Sequence, residues 1–248
     1  MFNATLADAT ELRNIIDTVS QIIDEGLFKV KQDGLELVAA DRAMVAVVNF
    51  KLSSKAFESF ACDADQSMGL NLITLLTILK RAGTGDKVTF SIDKNRLDVK
   101  MVSEMGAKRN FSLPLIDVRA DDVPSIAQFE FPASALVDAS MLKEGINDAG
   151  IVADSVLFEL GDGLKMFAKG DTSHTELALA KGSVLLNEVQ GQAAKSRFPI
   201  EYLRKILTAS KFAEKTRIFL GNDYPMKMEF IGSNSTLSFV IAPRVAEE

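Results

Sequence analysis

Chemistry starts with groups that can move a proton, attack a carbon or hold a metal, and this chain supplies few of them in usable spacing. Its single histidine, His174, follows Asp171-Thr172-Ser173 in a polar turn. Work as a general base would need a carboxylate to orient the ring, so a solvated or structural histidine is the expectation. Cys62 is the one cysteine, which can neither close an internal disulfide nor, with one histidine, build a Cys/His zinc cage. Gly83-Thr84-Gly85-Asp86-Lys87 resembles half a phosphate loop. A helical pattern precedes it and a strand pattern follows, the reverse of the order that aims amides at phosphate, so it reads as a helix stop and turn. Asp121-Asp122 would hold Mg²⁺ only with ligands from elsewhere, and reads as solvated loop. The sequence has no HExxH, GxSxG or CxxC. Neither a catalytic residue nor a metal or cofactor is expected, and the weight moves to a binding or scaffold role.

The elements that would position any site come as one pattern written twice. Asp33-Gly34-Leu35 returns as Asp162-Gly163-Leu164, and around each triplet the apolar, charged and turn residues repeat at an offset of roughly 129 positions. Residues 8–23 read as an amphipathic helix with Leu12, Ile15, Ile16, Val19 and Ile22 on one side, Asp8 as N-cap and Glu11 in capping-box position. A second helix is predicted over 71–82, capped by Asn71 and stopped by Gly83. Their counterparts are expected at 133–149, with Leu136, Val137, Met141 and Ile146, and at 199–211, where Pro199 opens the first turn. The remaining runs alternate with period two, as half-buried antiparallel strands do. Each half is therefore an α+β domain with two helices against curved antiparallel sheet. Residues 117–130 read as a surface connector between domains at 1–116 and 131–248. Its Val123, Pro124 and Ile126 are either cover for a neighbouring sheet or an apolar strip for a partner.

Composition fits two medium globular domains: 248 residues, 47% hydrophobic and 25% charged. No stretch approaches the roughly 18 apolar residues of a membrane span, and the start lacks a signal-peptide pattern, so a cytoplasmic location is the expectation. A net charge of −6 argues against a protein coated in phosphate-binding cations, although it leaves room for a local basic surface.

Two features point to binding. In 45–52, Ala46, Val48, Phe50 and Leu52 make a core face, yet the opposite face opens with Val45 and Val47 before turning polar at Asn49 and Lys51. The C-terminal strand does the same: Leu237, Phe239 and Ile241 face in, Thr236 and Ser238 face out, and the outward row then turns apolar at Val240 and Ala242. Together they suggest a groove. The second feature is charge. In each half the second helix is positive, with Lys80 and Arg81, then Arg204, Lys205 and Lys211 against Glu201, while the first helices are net acidic.

These residues resemble the archaeal proliferating cell nuclear antigens, the DNA sliding clamps. The likeness covers the full length and rests on Asp41-Arg42-Ala43-Met44-Val45, Gly69-Leu70-Asn71-Leu72, Pro114-Leu115-Ile116-Asp117-Val118, Tyr224-Pro225-Met226 and Ile241-Ala242-Pro243-Arg244-Val245. It implies a homotrimeric ring of six similar domains, sheets outside and four helices per chain lining a central hole, nucleoid-associated in the cell. Subunits would join edge to edge, through 108–113 with Arg109 and Phe111 and through 175–180 with Leu177 and Leu179. It also implies a pocket for a short partner peptide, formed by Met44, Val45, Val47, Val123, Pro124, Pro225, Val240, Ala242 and Pro243. DNA polymerase, flap endonuclease, DNA ligase and the clamp loader would use that pocket. Arg13, Lys80, Arg81, Lys143, Arg204, Lys205 and Lys211 would face encircled double-stranded DNA. Thr77 and Thr208 stand where relatives often carry lysine, and Asp148 and Glu201 where some carry basic residues, so a modest, salt-dependent attraction is expected. The activity implied is non-enzymatic: a processivity factor that tethers replication and repair proteins, as a homotrimer or as one subunit of a heterotrimeric clamp.

Overall fold

Period-two apolar runs punctuated by turn residues become strands, and the 3.6-period stripes become helices, in a computed structural model that describes residues 1–118 and 128–244. Contacts gather the described residues into two units, one of 1–40, 48–118 and 232–237, the other of 41–47, 128–231 and 238–244. The chain runs β1 (Phe2–Leu6), α1 (Thr10–Val19), β2 (Glu25–Lys31), β3 (Gly34–Ala40), β4 (Ala46–Ser53), β5 (Ser59–Cys62), β6 (Gln66–Asn71), α2 (Leu72–Leu79), β7 (Lys87–Asp93), β8 (Arg96–Val102) and β9 (Lys108–Pro114). It continues as β10 (Ala133–Asp138), α3 (Ala139–Val152), β11 (Ser155–Leu160), β12 (Gly163–Lys169), β13 (His174–Ala180), β14 (Leu186–Gly191), β15 (Ala194–Pro199), α4 (Ile200–Ile206), β16 (Lys215–Leu220), β17 (Met226–Ile231) and β18 (Ser235–Ile241).

The duplication is legible strand by strand. In the first unit the neighbours are β5-β1-β7-β8-β9 and β4-β3-β2-β6; in the second they are β14-β10-β16-β17-β18 and β13-β12-β11-β15. β1 with β5 and β7, β10 with β14 and β16, β12 with β11 and β13, β2 with β3 and β6, and β8 with β7 and β9 pair antiparallel, as do β11 with β15 and β16 with β17. The repeated Asp-Gly has a steric cause in each copy. A side chain on Gly34 would run into the Leu52 carbonyl oxygen, and one on Gly163 into that of Leu179. Gly34 also holds a φ of 144°, which disfavours any residue with a Cβ.

Within each unit the helices pack on each other, α1 on α2 and α3 on α4. Leu12, Ile15, Ile16 and Val19 are buried on α1, and Leu142, Ile146 and Ala149 on α3. The sheets supply fully buried rings, Phe2, Phe28 and Phe50 in the first unit and Phe158, Phe198, Phe230 and Phe239 in the second. Each such ring contributes about 1.5–3 kcal/mol of transfer free energy.

The helix bounds depart from the sequence reading. Residues 133–138, expected as the start of a helix, form β10 instead, and α3 begins at Ala139. Ala133, Ala135 and Val137 are buried at period two, and Asp138 then caps the helix by accepting the Met141 amide at 2.9 Å. Over 199–211, α4 gives way at Leu207 to a 3-10 turn, and Pro199 is the N-cap rather than a first-turn residue. The first helix is also shorter than 8–23. Its N-cap residue is Ala9, Asp8 accepts from the Thr10 amide at 2.8 Å, and Glu11 forms no capping box but takes the Ser235 hydroxyl. Asn71 caps α2 as expected, accepting from the Thr74 amide at 2.9 Å.

Candidate functional site

The residues that break strand alternation gather in the second unit, because 41–47 and 238–244 both belong there. Val47 and Val240 are buried, 7% and 4% exposed. Val45, Pro225, Ala242 and Pro243 are half-buried, and Met44 is 54% exposed. Ser238, expected to face solvent, is buried as well, so the outward row of β18 is covered from Ser238 onward. Val123 and Pro124, expected to complete the pocket, lie outside the described residues, as do Asp121, Asp122 and Ile126.

Backbone bonds tie the C-terminal segment to its neighbours. Ala242 N–H donates to the Val45 carbonyl at 2.8 Å, and Arg244 N–H donates to that of Arg197 at 2.7 Å. Arg244 also reaches the Asp154 carboxylate at 2.5 Å, and that contact holds the Asp154 carboxyl below the usual range. Behind Pro225 stands an aromatic cluster that strand reading alone missed. The Tyr224 ring meets Phe129 at 5.9 Å and Phe131 at 5.8 Å, and Phe131 meets Phe219 at 5.8 Å. The Tyr224 carbonyl accepts from the Ser196 hydroxyl at 3.1 Å.

The Met44 wall is organised by Asp41, a buried carboxylate. Its Oδ1 accepts the Val45 amide at 2.8 Å and the Ala46 amide at 2.7 Å, and its Oδ2 accepts the Ala43 amide at 3.2 Å and the Tyr202 hydroxyl at 2.6 Å. Burial, and then the Asp41 carboxylate, push the Tyr202 hydroxyl up to about 12, so the phenol donates throughout the neutral range.

The cations expected to face nucleic acid are partly neutralised within their own units. Lys80 on the turn after α2 pairs with Asp17 of α1 at 3.0 Å, and Lys205 pairs with Glu201 at 2.6 Å while lying 5.4 Å over the Tyr202 ring. Arg204 reaches the Asn147 carbonyl of α3 at 3.4 Å, a path that a side chain on Gly150 would block. Arg81 and Lys211 are exposed, and Arg13 and Lys143 half-buried. In the glycine-rich turn after α2, Asp86 sits where an anion would have to sit: its carboxylate accepts the Gly83 amide at 2.8 Å and pairs with Arg109. His174 is exposed, its ring 6.0 Å from that of Phe167. Among the described residues, no group of three His, Cys, Asp or Glu side chains could hold a metal ion, and no helix is long and apolar enough to cross a membrane.

Comparison with known proteins decides what such a duplicated pair of units is. The family description "Proliferating cell nuclear antigen, N-terminal domain" matches residues 1–123. A DNA polymerase sliding clamp of Pyrococcus horikoshii is 33% identical over 99% of both chains, and one of Methanobrevibacter smithii is 30% identical over the whole of both. The chain belongs to the proliferating cell nuclear antigen family. The crystal structure of the Thermococcus kodakaraensis antigen superposes with a TM-score of 0.90 at 26% identity, covering 98% of this chain and 100% of that one. Members of this sliding-clamp family are processivity factors without enzymatic activity.

The edges of the clamp fold are where the chain presents open hydrogen-bonding groups. β9 and β13 each end their sheet and carry the same alternation of exposure, with Leu113 and Leu179 as the buried residue near the end. Phe111 and Leu177 are half-buried on them. Their charges differ: β9 carries Lys108 and Arg109, and β13 carries Glu176. Arg109 is already engaged, donating to the Arg81 carbonyl at 2.6 Å and to the Asp86 carboxylate.

Proposed function

We propose that the chain works as a DNA polymerase sliding clamp in which three copies join head to tail around duplex DNA and hold partner proteins by a short peptide. The peptide would place an aliphatic residue and aromatic side chains over Val47 and Val240, beside Met44, Val45, Pro225, Ala242 and Pro243. The observation that carries this reading is the grouping of those otherwise misplaced apolar residues in one unit, held together by Asp41 and the Ala242 amide. Flap endonuclease, DNA ligase and the clamp loader are proposed to compete with polymerase for the same pocket.

The ring would close by pairing β9 of one copy with β13 of the next. A heterologous contact between two different open edges either closes into a ring or propagates, and the basic end of β9 suits the acidic Glu176 of β13. Retention on DNA would then be topological. Lys80 and Lys205 are paired with acids of their own unit, so phosphate contact is weak enough to let the ring slide. Tethering raises the local concentration of polymerase at the primer end without any bond being made.

The test is retention on a nicked circular plasmid after loading. Loss upon linearisation at unchanged salt supports encirclement, and equal loss from circle and line defeats it. Phe111→Asp is expected to lower the assembled mass in light scattering, whereas Pro225→Asp keeps that mass and loses the peptide. A lone chain at micromolar concentration would point to a heterotrimeric clamp instead.

A further inference from the structure

The loop from Asp41 to Val45 is held in a conformation it would not choose alone. Met44 has a φ of 56°, in the left-handed region that a side chain disfavours, so its surroundings must impose it. Two backbone bonds close the turn, Asp41 N–H to the Ala46 carbonyl at 2.9 Å and Met44 N–H to the Asp41 carbonyl at 3.0 Å, and the Asp41 carboxylate adds to them. Three of its four hydrogen bonds go to amides of the loop itself, at Ala43, Val45 and Ala46. These amides fix the loop to the carboxylate, but they cannot fix the direction of the carboxylate in the protein. The fourth bond ties the carboxylate itself to a distant element: the Tyr202 hydroxyl, 161 positions away in sequence, meets Oδ2 at 2.6 Å, beside the backbone bond that the Val45 carbonyl accepts from Ala242. The Tyr202 bond is also the shortest of the four, as a hydroxyl-to-oxygen bond is beside amide bonds.

Tyr202 is itself well placed to act as an anchor. It lies one turn into α4, half-buried, between Leu203 and the Ile200 start of the helix, both buried. Lys205 covers its ring from one turn further on, and Glu201 ties Lys205 down. The ring is thus held by its own helix while its hydroxyl reaches out to the loop.

We propose that Tyr202 is a positioning residue for partner binding: through Asp41 it sets the place of Met44 and Val45, and so the shape of the peptide pocket. The inference rests on the peptide-pocket reading given above. Tyr202 touches no partner in this scheme, and its effect reaches the peptide only through the carboxylate.

The experiment uses the full chain and a synthetic peptide of the form Gln-x-x-aliphatic-x-x-aromatic-aromatic, with binding followed by calorimetry. Tyr202→Phe removes only the hydroxyl. It is expected to weaken the peptide roughly tenfold, the size of one charge-assisted hydrogen bond, with the assembled mass unchanged. Asp41→Asn should weaken it comparably, and the double variant should be no weaker than Asp41→Asn alone, because both changes cut the same link. A merely structural tyrosine would give additive losses. Pro225→Asp reports on the pocket independently. If it abolishes binding while Tyr202→Phe binds like the parent, the positioning role is wrong and the pocket stands. If Pro225→Asp also binds like the parent, the pocket reading itself fails. Should Tyr202→Phe not assemble, parent-like binding by Asp41→Asn overturns the inference by the second route.

Discussion

The same turn of the repeat is built in two ways. Between β3 and β4, Asp41 gathers three loop amides and the Tyr202 hydroxyl, lifts Met44 into the solvent and brings Val45 beside Ala242. Both turns have a backbone closure, Asp41 N–H to the Ala46 carbonyl in the first and, between β12 and β13, Gly170 N–H to the Ser173 carbonyl, each at 2.9 Å, but in the second Asp171, Thr172 and Ser173 are exposed. The strands around both turns are paired alike. What duplication preserved is therefore the hydrogen-bonded scaffold, and what diverged is the polar wiring of one connection. A carboxylate buried among amides is expensive to maintain unless every lone pair is used, so its presence in one copy alone marks that copy as the one with a geometry to defend.

The contrast is broken most directly by charge. Val45→Asp is expected to weaken the peptide more than about 100-fold by setting an unpaired carboxylate against an apolar surface, while Thr172→Asp at the sister turn should leave affinity within about twofold. Equal losses in a calorimetric titration would mean that the two turns are equivalent after all. Removing the wiring should act next. Asp41→Ala leaves buried amides of Val45 and Ala46 without their acceptor and is expected to cost about 2–3 kcal/mol in chemical unfolding of the chain. Asp171→Ala, exposed, should stay within about 0.5 kcal/mol. A small effect at Asp41 would show that water takes over the amides, and would remove the reason for a fixed loop.

Much of this architecture could be read from residues alone, and the exceptions have physical causes. The repeat around Asp33-Gly34 and Asp162-Gly163 is visible because a steric rule forbids other residues there. The core stripe of α1 and the cap at Asn71 are local patterns and appear where expected. The strand at 133–138 was hidden because Leu136, Val137 and Met141 also fit a helical spacing, and only pairing with β14 and β16 chooses between the two. For the candidate site, the apolar residues were legible as broken alternation. Their grouping in one unit was not, since 41–47 joins a unit whose other members begin some eighty residues later in sequence. Nor were Phe129, Phe131 and Tyr202: a ring contact or a hydroxyl reaching over 161 positions leaves no periodic trace.

The smallest expected effect compares the starts of the first helix in each half. Asp138 caps α3 outright, taking the Met141 amide at 2.9 Å and the Ser140 hydroxyl at 2.5 Å, whereas the N-cap of α1 is Ala9, with no side-chain cap. Partial burial raises the Asp138 carboxyl, but these donors outweigh it and its pKa falls below the ordinary 3.8. A carboxyl lowered on folding stabilises the native state fully above its unfolded value and loses that contribution as pH falls through the folded one. The Asp138 contribution is thus complete at neutral pH and disappears below 3.8. Asp138→Ala is expected to lower stability by about 1 kcal/mol at pH 7, with the gap from the parent closing under strong acid. Asp8 is lowered too, by Thr10 through its hydroxyl and amide. Its carboxylate bonds an amide at the mouth of α1 without being the cap, so Asp8→Ala should cost less than Asp138→Ala at pH 7 and follow the same acid trend. Reversal of that order in unfolding curves taken at both pH values would show that the uncapped copy depends on its first turn as much as the capped one does.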